Sequence, residues 1–388
     1  MSRRSSEVWC VILGVGLLTL SGLGGCESPQ SLGIEPASTR GSKQAAAWKS
    51  QLPPTRHEAW AKLGYRLDWQ SPVFVPNSPS RNTTFVKATT DAVLVQDSSS
   101  TVSFVEPATG RVRWATELAN PLSRFLSLDL DPDNPRHVLA SAEGELFILA
   151  SDTGALIERE RFARVVNTAP VFAPGLAIYG CSAGEILAHT IGTEFRAWGF
   201  DGHATFTANP VYVGDTIGFV GQNGNVLFLN AAGSMTGFTK IYDGPAGQPT
   251  TDGERLFIAS TDQSLWAIYP NGQTAWRHKT PAKLTRGPVV HDSFVYCELP
   301  SGFSALHADT GTLVWTAPDL HGTVIAVRDG KLVVWEAPKA TLVDPRTGDI
   351  IASAEIPEAA ILATESLVDA PIYVANPHGT LTRFVPRN

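Results

Sequence analysis

The sequence predicts an all-β fold, an eight-bladed β-propeller of four-stranded antiparallel blades, and three observations lead to this prediction. Short runs of alternating apolar residues are separated by Gly, Pro, Asp and Ser, which is the pattern of strands joined by tight turns. The pattern recurs at about 40 residues, the repeat length of a propeller blade. No apolar run between the strands keeps the 3.6-residue period of a helix.

The clearest repeat spans residues 287–315. Its four β-rich runs lie at 287–290, 294–297, 303–306 and 312–315, with turn residues between them. A single sheet of this kind has two apolar faces and cannot bury both of them alone. It therefore needs a copy of itself on each side, as in a ring of blades.

The copies can be located by a glycine that begins the fourth run of each repeat. These glycines are Gly110, Gly154, Gly192, Gly233, Gly272, Gly311 and Gly348. The intervals between them are 44, 38, 41, 39, 39 and 37 residues. Seven repeats with complete fourth strands follow from this spacing.

An eighth blade is predicted from the two ends of the repeat region. Residues 372–375 and 379–384 match second and third strands, and no fourth strand follows them before Asn388. The strand at 65–69 has no blade of its own. Pairing this N-terminal strand with the C-terminal blade closes the ring and removes two exposed sheet edges. We therefore predict a propeller over residues 64–388, with seven blades as the alternative because the eighth repeat is the most degenerate.

The first 25 residues are predicted to be a lipoprotein signal peptide. Arg3 and Arg4 precede an apolar stretch at 9–20, and small residues then lead to Cys26. This arrangement resembles a bacterial lipobox, whose cysteine becomes lipidated. We expect an exported protein anchored through Cys26 and facing the periplasm, with the outer membrane favoured over the inner. The alternative is an ordinary signal peptide with an incidental cysteine.

The segment 26–63 is predicted to be a tether with short helices near 45–49 and 57–63. The net charge of −7 argues against a nucleic-acid partner, which would require a basic face. Cys181 and Cys297 fall in blades that are separated by two others, so a disulfide between them is excluded by distance. Both are expected to be buried thiols.

No catalytic or metal-binding set is predicted. Residues 129–133 begin like a calcium loop, but Asn134 and Ala140 stand where an EF-hand requires Gly and Glu, so a hairpin turn is favoured. The nine histidines lack zinc-ligand spacing, and no nucleophile elbow or phosphate loop is present. We predict that the protein is not an enzyme and that it binds no cofactor.

Three features of the repeats carry a resemblance to a known family. Several blades begin with a small residue, Pro and Val, as in Gly287-Pro288-Val289, and several third strands contain small residues, as in Ser304-Ala305-Leu306. Several fourth strands are entered through Thr-Gly or Asn-Gly and contain a tryptophan four residues after the glycine, as Trp315 follows Gly311. Together these features resemble the PQQ-like, or quinoprotein-type, propeller repeat.

The resemblance implies that the tryptophans of the fourth strands pack between neighbouring blades. These tryptophans are Trp69, Trp114, Trp198, Trp276 and Trp315. Blades two, four and seven depart from the pattern at Ile157, Phe238 and Ile350, and we expect weaker contacts there.

A lipobox followed by such a propeller is similar to the BamB-like lipoproteins of outer-membrane protein assembly. This resemblance implies a non-catalytic, monomeric scaffold that binds protein partners. One alternative is a PQQ- and Ca²⁺-dependent dehydrogenase, which would use adjacent cysteines that the sequence lacks. Another is a polysaccharide-binding propeller, which would expose tryptophans on one face.

Basic residues in two connections between blades are predicted to contribute to a docking surface for an unidentified protein partner. Because such connections share one face of a propeller, the two groups can act together, and arginine is favoured at binding hot spots. The residues are Arg159, Arg161, Arg164, Arg277, Lys279, Lys283 and Arg286. The alternative is a solvated rim without a partner.

Overall fold

The computed structural model describes residues 57–74, 82–118 and 124–387. The predicted signal peptide, the predicted lipidation at Cys26 and the helix predicted near 45–49 lie outside the described residues. The described chain begins with one helical turn and a half, α1 (His57–Lys62), followed by strand β1 (Tyr65–Pro72). No helix among the residues described is long and apolar enough to cross a bilayer.

Blades one to four follow one another along the chain, and in each blade consecutive strands pair as an antiparallel meander. Blade one contains β2 (Thr83–Ala88), β3 (Val93–Asp97), β4 (Thr101–Val105) and β5 (Val112–Glu117). Blade two contains β6 (Phe125–Leu130), β7 (His137–Ala142), β8 (Glu145–Ala150) and β9 (Leu156–Arg161). Blade three contains β10 (Val171–Ala173), β11 (Leu176–Gly180), β12 (Glu185–Thr190) and β13 (Arg196–Asp201). Blade four contains β14 (Val211–Val213), β15 (Thr216–Val220), β16 (Asn225–Leu229) and β17 (Met235–Lys240).

Blades five to eight complete the ring. Blade five contains β18 (Thr250–Thr251), β19 (Leu256–Ser260), β20 (Ser264–Ile268) and β21 (Thr274–Lys279). Blade six contains β22 (Val289–His291), β23 (Phe294–Leu299), β24 (Gly302–His307) and β25 (Leu313–Ala317). Blade seven contains β26 (Thr323–Arg328), β27 (Lys331–Glu336), β28 (Lys339–Val343) and β29 (Ile350–Glu355). Blade eight contains β30 (Ile361–Thr364), β31 (Ile372–Ala375), β32 (Thr380–Pro386) and β1.

The first strands of neighbouring blades contact one another, for example β2 with β6 and β14 with β18, so they surround the centre of the ring. The second and third strands of the blades are almost wholly buried, because each sheet packs its two apolar faces against its neighbours. The fourth strands are the outermost. The predicted all-β propeller of eight four-stranded blades is confirmed.

The ring closes where β1 joins the C-terminal strands, as predicted. β1 pairs antiparallel with β32 from Tyr65 opposite Pro386 to Pro72 opposite Thr380. A charge-assisted hydrogen bond from Arg383 to Asp68, at 2.7 Å, links the two strands. Closure thus depends on backbone pairing between residues from opposite ends of the described chain.

A repeated contact between tryptophan and glycine joins several neighbouring blades. The indole ring of one fourth strand lies over the glycine that precedes the next fourth strand, where a β-carbon would clash with the ring. Gly110, for example, has a φ of +70°, and a Cβ there would lie 2.5 Å from Trp69. The pairs are Trp69 with Gly110, Trp114 with Gly154, Trp198 with Gly233, Trp276 with Gly311, and Trp315 with Gly348.

Each of these indoles also donates a hydrogen bond from Nε1 to a backbone carbonyl in the next blade. The acceptors are Pro107 at 2.8 Å for Trp69, Ser151 at 3.0 Å for Trp114, Ala231 at 3.0 Å for Trp198, Ala308 at 2.7 Å for Trp276, and Pro345 at 3.0 Å for Trp315. Most buried indole N–H groups in proteins have such a partner. The contact therefore combines ring packing with a directed polar bond.

The positions that lack this tryptophan differ from those expected from the sequence. Strand register places Glu158, Gly237 and Ala352 at the tryptophan position, opposite the fourth residue of the third strand. The assignment of Ile157, Phe238 and Ile350 was wrong. Glu158, Gly237 and Ala352 each lie four positions after the glycine of their blade, the same spacing as Trp114 after Gly110, so counting from the glycine identifies the tryptophan position.

In two of these three interfaces, residues from another segment occupy the space that the tryptophan fills in the other blades. At Gly237, the 270–272 turn of blade five occupies the space, since a Cβ on Gly237 would lie 2.2 Å from the carbonyl oxygen of Pro270. Between blades seven and eight, Trp60 of α1 packs in the cluster that also contains Ala352 and Ala354. Trp60 is 0% exposed and stacks on Phe384 with ring centroids 4.7 Å apart. Helix α1 is therefore an integral part of the ring.

The interface between blades two and three contains a buried polar pair. Nε2 of His189 in β12 lies 2.7 Å from Oε2 of Glu160 in β9, and the two side chains are 1% and 0% exposed. Phe162 packs against the histidine ring at a centroid distance of 5.0 Å. Within the described residues, the second carboxylate oxygen of Glu160 has no hydrogen-bond partner.

Candidate docking surface

One face of the ring is formed by the connections that lead from each fourth strand to the next blade, and we call it the interblade face. Its longer connections are residues 162–170, 202–210, 241–249 and 280–288. The turns between second and third strands lie on the same side, because each strand reverses the direction of the one before. Loops on a rigid scaffold are the usual location of binding residues.

The predicted docking residues lie at this face, but not all in loops. Arg159 and Arg161 belong to β9, and Arg277 and Lys279 belong to β21. These fourth strands extend further than expected because they still pair with third strands there, as Lys279 does with Ser264. The remaining three, Arg164, Lys283 and Arg286, lie in connections.

Most of the predicted arginines are engaged in ion pairs. Arg159 donates to both carboxylate oxygens of Glu145. The hydrogen bond from Arg159 and the positive charges nearby hold the pKa of Glu145 below its usual value. Exposed ion pairs of this kind contribute little to stability. The paired carboxylates do, however, neutralise the positive charge of these arginines, so that less of it is available to bind a partner.

Two further arginines of the interblade face are also engaged in ion pairs. Arg164 donates to Glu185 at 2.7 Å, and Arg286 donates to Glu298 at 2.9 Å. Glu298 also accepts a hydrogen bond from the backbone N–H of Gly322 at 2.8 Å. These arginines therefore hold connections together, and blade two presents less free positive charge than the sequence suggested.

The region around Arg277 is different, because its guanidinium lies against two aromatic rings. Its central carbon is 4.6 Å from the ring centroid of Tyr242 and 4.5 Å from that of Trp266. Nε of Arg277 donates to Ser264 at 2.9 Å, which fixes the orientation of the guanidinium. Cation–π contacts contribute about 0.5–1 kcal/mol at exposed sites and about 2 kcal/mol when desolvated.

Asp262 organises this group, which we call the aromatic–arginine site (Tyr242, Asp262, Trp266 and Arg277). Its carboxylate accepts hydrogen bonds from the backbone N–H of Tyr242 at 3.2 Å and from Nε1 of Trp266 at 3.0 Å. Trp266 is 7% exposed, whereas Tyr242 is 76% exposed. A rigid, buried base thus supports an aromatic ring that faces solvent.

Three lysines lie within a few residues of members of the aromatic–arginine site or of the neighbouring Asp243, and none makes an ion pair with another described residue. They are Lys240 at the end of β17, Lys279 at the end of β21, and Lys283 in the following connection. All three are exposed. Two acids lie nearby: Asp262, whose carboxylate is 4.0 Å from the guanidinium of Arg277, and Asp243, whose pKa is lowered by a hydrogen bond from the backbone of Gly244 and, to a smaller extent, by Lys283. The site therefore carries excess positive charge on an acidic protein.

Sequence reasoning identified Arg277, Lys279 and Lys283 but missed Tyr242, Trp266 and Lys240. Trp266 lies in a third strand, where an aromatic residue is indistinguishable from core. Tyr242 was the available signal, because a tyrosine two residues after a fourth strand falls in a connection rather than in a sheet.

Both cysteines in the described residues are free and buried. Burial raises the pKa of Cys181 to about 12 and that of Cys297 to about 12. Because the thiolate is the reactive form, we expect neither residue to be alkylated by iodoacetamide at pH 8 in the folded protein. Mass spectrometry of the two peptides, with and without guanidinium during alkylation, measures this. Modification of Cys181 or Cys297 without denaturant would contradict the burial.

The acidic turn at 129–133 is engaged in local contacts. Asp131 accepts a hydrogen bond from the backbone N–H of Asp133 at 3.0 Å, and Asp133 accepts one from Gly175 at 2.6 Å. Asp129 pairs with Lys87 at 3.6 Å. In the part of the chain that the structure describes, no group of three or more His, Cys, Asp or Glu side chains is arranged to hold a metal ion.

Comparisons with known proteins place the chain in a family. The family model described as outer membrane protein assembly factor BamB matches residues 98–245 and 239–376. The crystal structure of BamB from Moraxella catarrhalis is similar with a TM-score of 0.63 and 18% identity, over 82% of this chain and 98% of that chain. The computationally designed Ika8 protein is similar with a TM-score of 0.64 and 14% identity, over 81% of this chain and 99% of that chain.

At these identities the two solved structures support the fold alone. A comparison with curated proteins gives no match. The family model, however, covers more than half of the sequence and includes every blade from the second to the seventh. The chain therefore belongs to the family of the outer membrane protein assembly factor BamB.

Proposed function

We propose that the protein is a membrane-anchored, non-catalytic scaffold of outer-membrane protein assembly that binds a protein partner through the aromatic–arginine site. The observation that carries this proposal is the solvent-facing Tyr242 on Arg277, next to three lysines without ion pairs. Tyrosine and arginine over a well-packed base are the residues that most often dominate binding energy at protein interfaces. Membership of an assembly-factor family supports the same role.

The partner surface that fits this site is acidic. Lys240, Lys279 and Lys283 would steer a negatively charged surface toward the interblade face, and the effect would weaken as salt increases. The paired arginines of blade two, Arg159 and Arg164, would border the interface rather than dominate it. The remaining predicted residues, Arg161 and Arg286, flank the same face.

Anchoring is part of the proposal. Residues 1–25 would be removed as a signal peptide, Cys26 would carry the lipid, and residues 26–63 would link it to the propeller over 64–388. A lipid anchor with more than one acyl chain holds a protein stably at a membrane surface. The ring would then face the periplasm as a monomer, with the outer membrane favoured over the inner.

A non-catalytic role is supported by the chemistry of the described residues. The two cysteines are buried thiols in blades three and six, and the sequence has no adjacent pair, so the cysteines do not fit a quinone cofactor site. Every tryptophan in the described residues is buried or partly buried, which disfavours a polysaccharide-binding face. Dye reduction on alcohols or sugars that depends on quinone and Ca²⁺ would overturn the scaffold proposal.

Affinity purification from membranes tests the scaffold role. The tagged full-length protein should retain a stoichiometric protein partner in mild detergent, and the complex should dissociate as salt is raised. Recovery of the protein alone under these conditions would contradict the proposal. Replacing Cys26 with alanine should release the protein into the soluble periplasmic fraction.

Replacement of Tyr242 or Arg277 by alanine is expected to weaken partner binding by about 30-fold or more, because hot-spot residues contribute about 2 kcal/mol or more each. Partner retention in the same purification, at fixed salt, measures the loss. The matched control is Arg159→Ala, which removes a paired arginine from the same face and should change retention little. Equal retention by all three variants would place the docking surface elsewhere.

A further inference from the structure

The fourth strands form the outer edges of the eight sheets, and the edges differ in how they are protected. An edge strand exposes backbone N–H and C=O groups that can pair with another chain, and charged residues, lysine above all, discourage such pairing. Within the described residues, six of the eight outermost strands contain a lysine or an arginine. These strands are β1, β5, β9, β13, β17 and β21.

The outermost strands of blades six and seven lack this protection. β25 contains no charged residue, and β29 contains only Glu355, at its end. Both strands begin with two exposed aliphatic residues: Leu313 and Val314 are 44% and 39% exposed, and Ile350 and Ile351 are 48% and 47% exposed. Two adjacent blades therefore present to solvent strand edges that begin with apolar residues and carry no lysine or arginine.

Acidic side chains outnumber basic ones around the two edges, where Arg346 and Lys339, the latter opposite Glu355, are the exposed basic residues. Asp349 precedes β29, Glu355 ends it, and Asp319 follows β25; all three are exposed. A second copy of this chain paired antiparallel along β29 would bring Asp349 and Glu355 of the two copies together, and like charges opposite one another are destabilising. An added strand with basic residues at its ends would instead be attracted.

We propose that the outer edges of β25 and β29 bind an extended segment of an unfolded client protein as a fifth strand. Such a segment would carry alternate apolar residues, which pack on the exposed aliphatic pairs, and basic residues at its ends. Backbone hydrogen bonds supply affinity in this mode, and alternate side chains supply selectivity. That the client is an outer-membrane protein before it folds rests on the proposed assembly function; the pairing itself does not.

Fluorescence anisotropy with a defined peptide tests the proposal. The probe is a labelled segment of alternating valine and threonine with two lysines at each end, added to the full-length protein in detergent. The double variant Val314→Lys and Ile351→Lys should weaken binding at least tenfold, because a lysine on each edge opposes pairing. Leu156→Lys, at an equally exposed position on the charged strand β9, is the matched control and should leave the affinity unchanged.

Two further peptides make the test specific. A peptide methylated on alternate backbone nitrogens should not bind, since it cannot complete the hydrogen-bond ladder, and a peptide with glutamates in place of the lysines should bind at least tenfold more weakly. Equal binding of the methylated peptide, or no effect of the double variant, would overturn the proposal. Absence of binding by the wild-type protein would do the same. Tyr242→Ala should not change peptide affinity, so a failure here is distinguishable from a failure of the docking proposal.

Discussion

Replacement of Trp60 by alanine is expected to lower the free energy of unfolding by about 3–5 kcal/mol, the usual cost of deleting a fully buried tryptophan. The indole is 0% exposed, stacks on Phe384 and meets Tyr65 edge-on at a centroid distance of 6.0 Å. It fills an interface whose own fourth strand has Ala352 in place of the tryptophan. Chemical denaturation followed by circular dichroism measures the loss.

The control for this prediction is Trp60→Phe. In the described residues Nε1 of Trp60 has no hydrogen-bond partner, so phenylalanine removes ring area without breaking a polar bond. We expect it to retain most of the stability, whereas Trp315→Phe would also lose the hydrogen bond to Pro345. A wild-type unfolding midpoint for Trp60→Ala would show that α1 is only an attachment to the ring.

Removal of one partner of the buried pair between blades two and three is expected to cost a similar amount. Glu160→Ala or His189→Ala should each lower the unfolding free energy by about 3–5 kcal/mol, because the remaining group is left buried without its partner. Denaturant titration of each variant at neutral pH provides the measurement.

The double replacement distinguishes pairing from packing at this site. Leucine at both Glu160 and His189 removes both polar groups while keeping the volume, and such replacements are often neutral or stabilising. We expect the double variant to recover most of the loss seen in either single variant. Additive losses would instead mean that the two side chains contribute independently of their hydrogen bond.

The number of blades could be predicted because each blade repeats one glycine at nearly constant spacing. Gly110 and Gly348 have a positive φ and lie against the indole of a neighbouring blade. Because only glycine fits both conditions, a glycine in the sequence marks this position in each blade. Closure by the strand at 65–69 was predictable for a similar reason, since a β-sheet leaves few ways to complete a half-formed blade. The register of most fourth strands was predictable too, since the tryptophan position lies four residues after the glycine, but the longer turn of blade three, where Trp198 lies six residues after Gly192, was not.

The docking surface was only partly predictable. The sequence shows which residues are basic, but not that Arg159 meets Glu145 across a strand pair while Lys279 has no acid opposite it. The aromatic–arginine site combines a connection of blade four with two strands of blade five, and no local pattern links these segments. The sequence of α1 also does not indicate that Trp60 fills the interface between blades seven and eight.

The pairing of β1 with β32 has a consequence for how the chain matures. Asp68 and Arg383, which are bonded in the finished ring, are 315 residues apart in sequence. β1 leaves the ribosome or a translocation channel before the other strands, but it can pair only after β32 has emerged. Pairing between residues so distant in sequence is slow. An export intermediate lacking only its last residues would hold seven finished blades, the hairpin of β30 and β31, and an unpaired β1, and would be the form most in need of a chaperone.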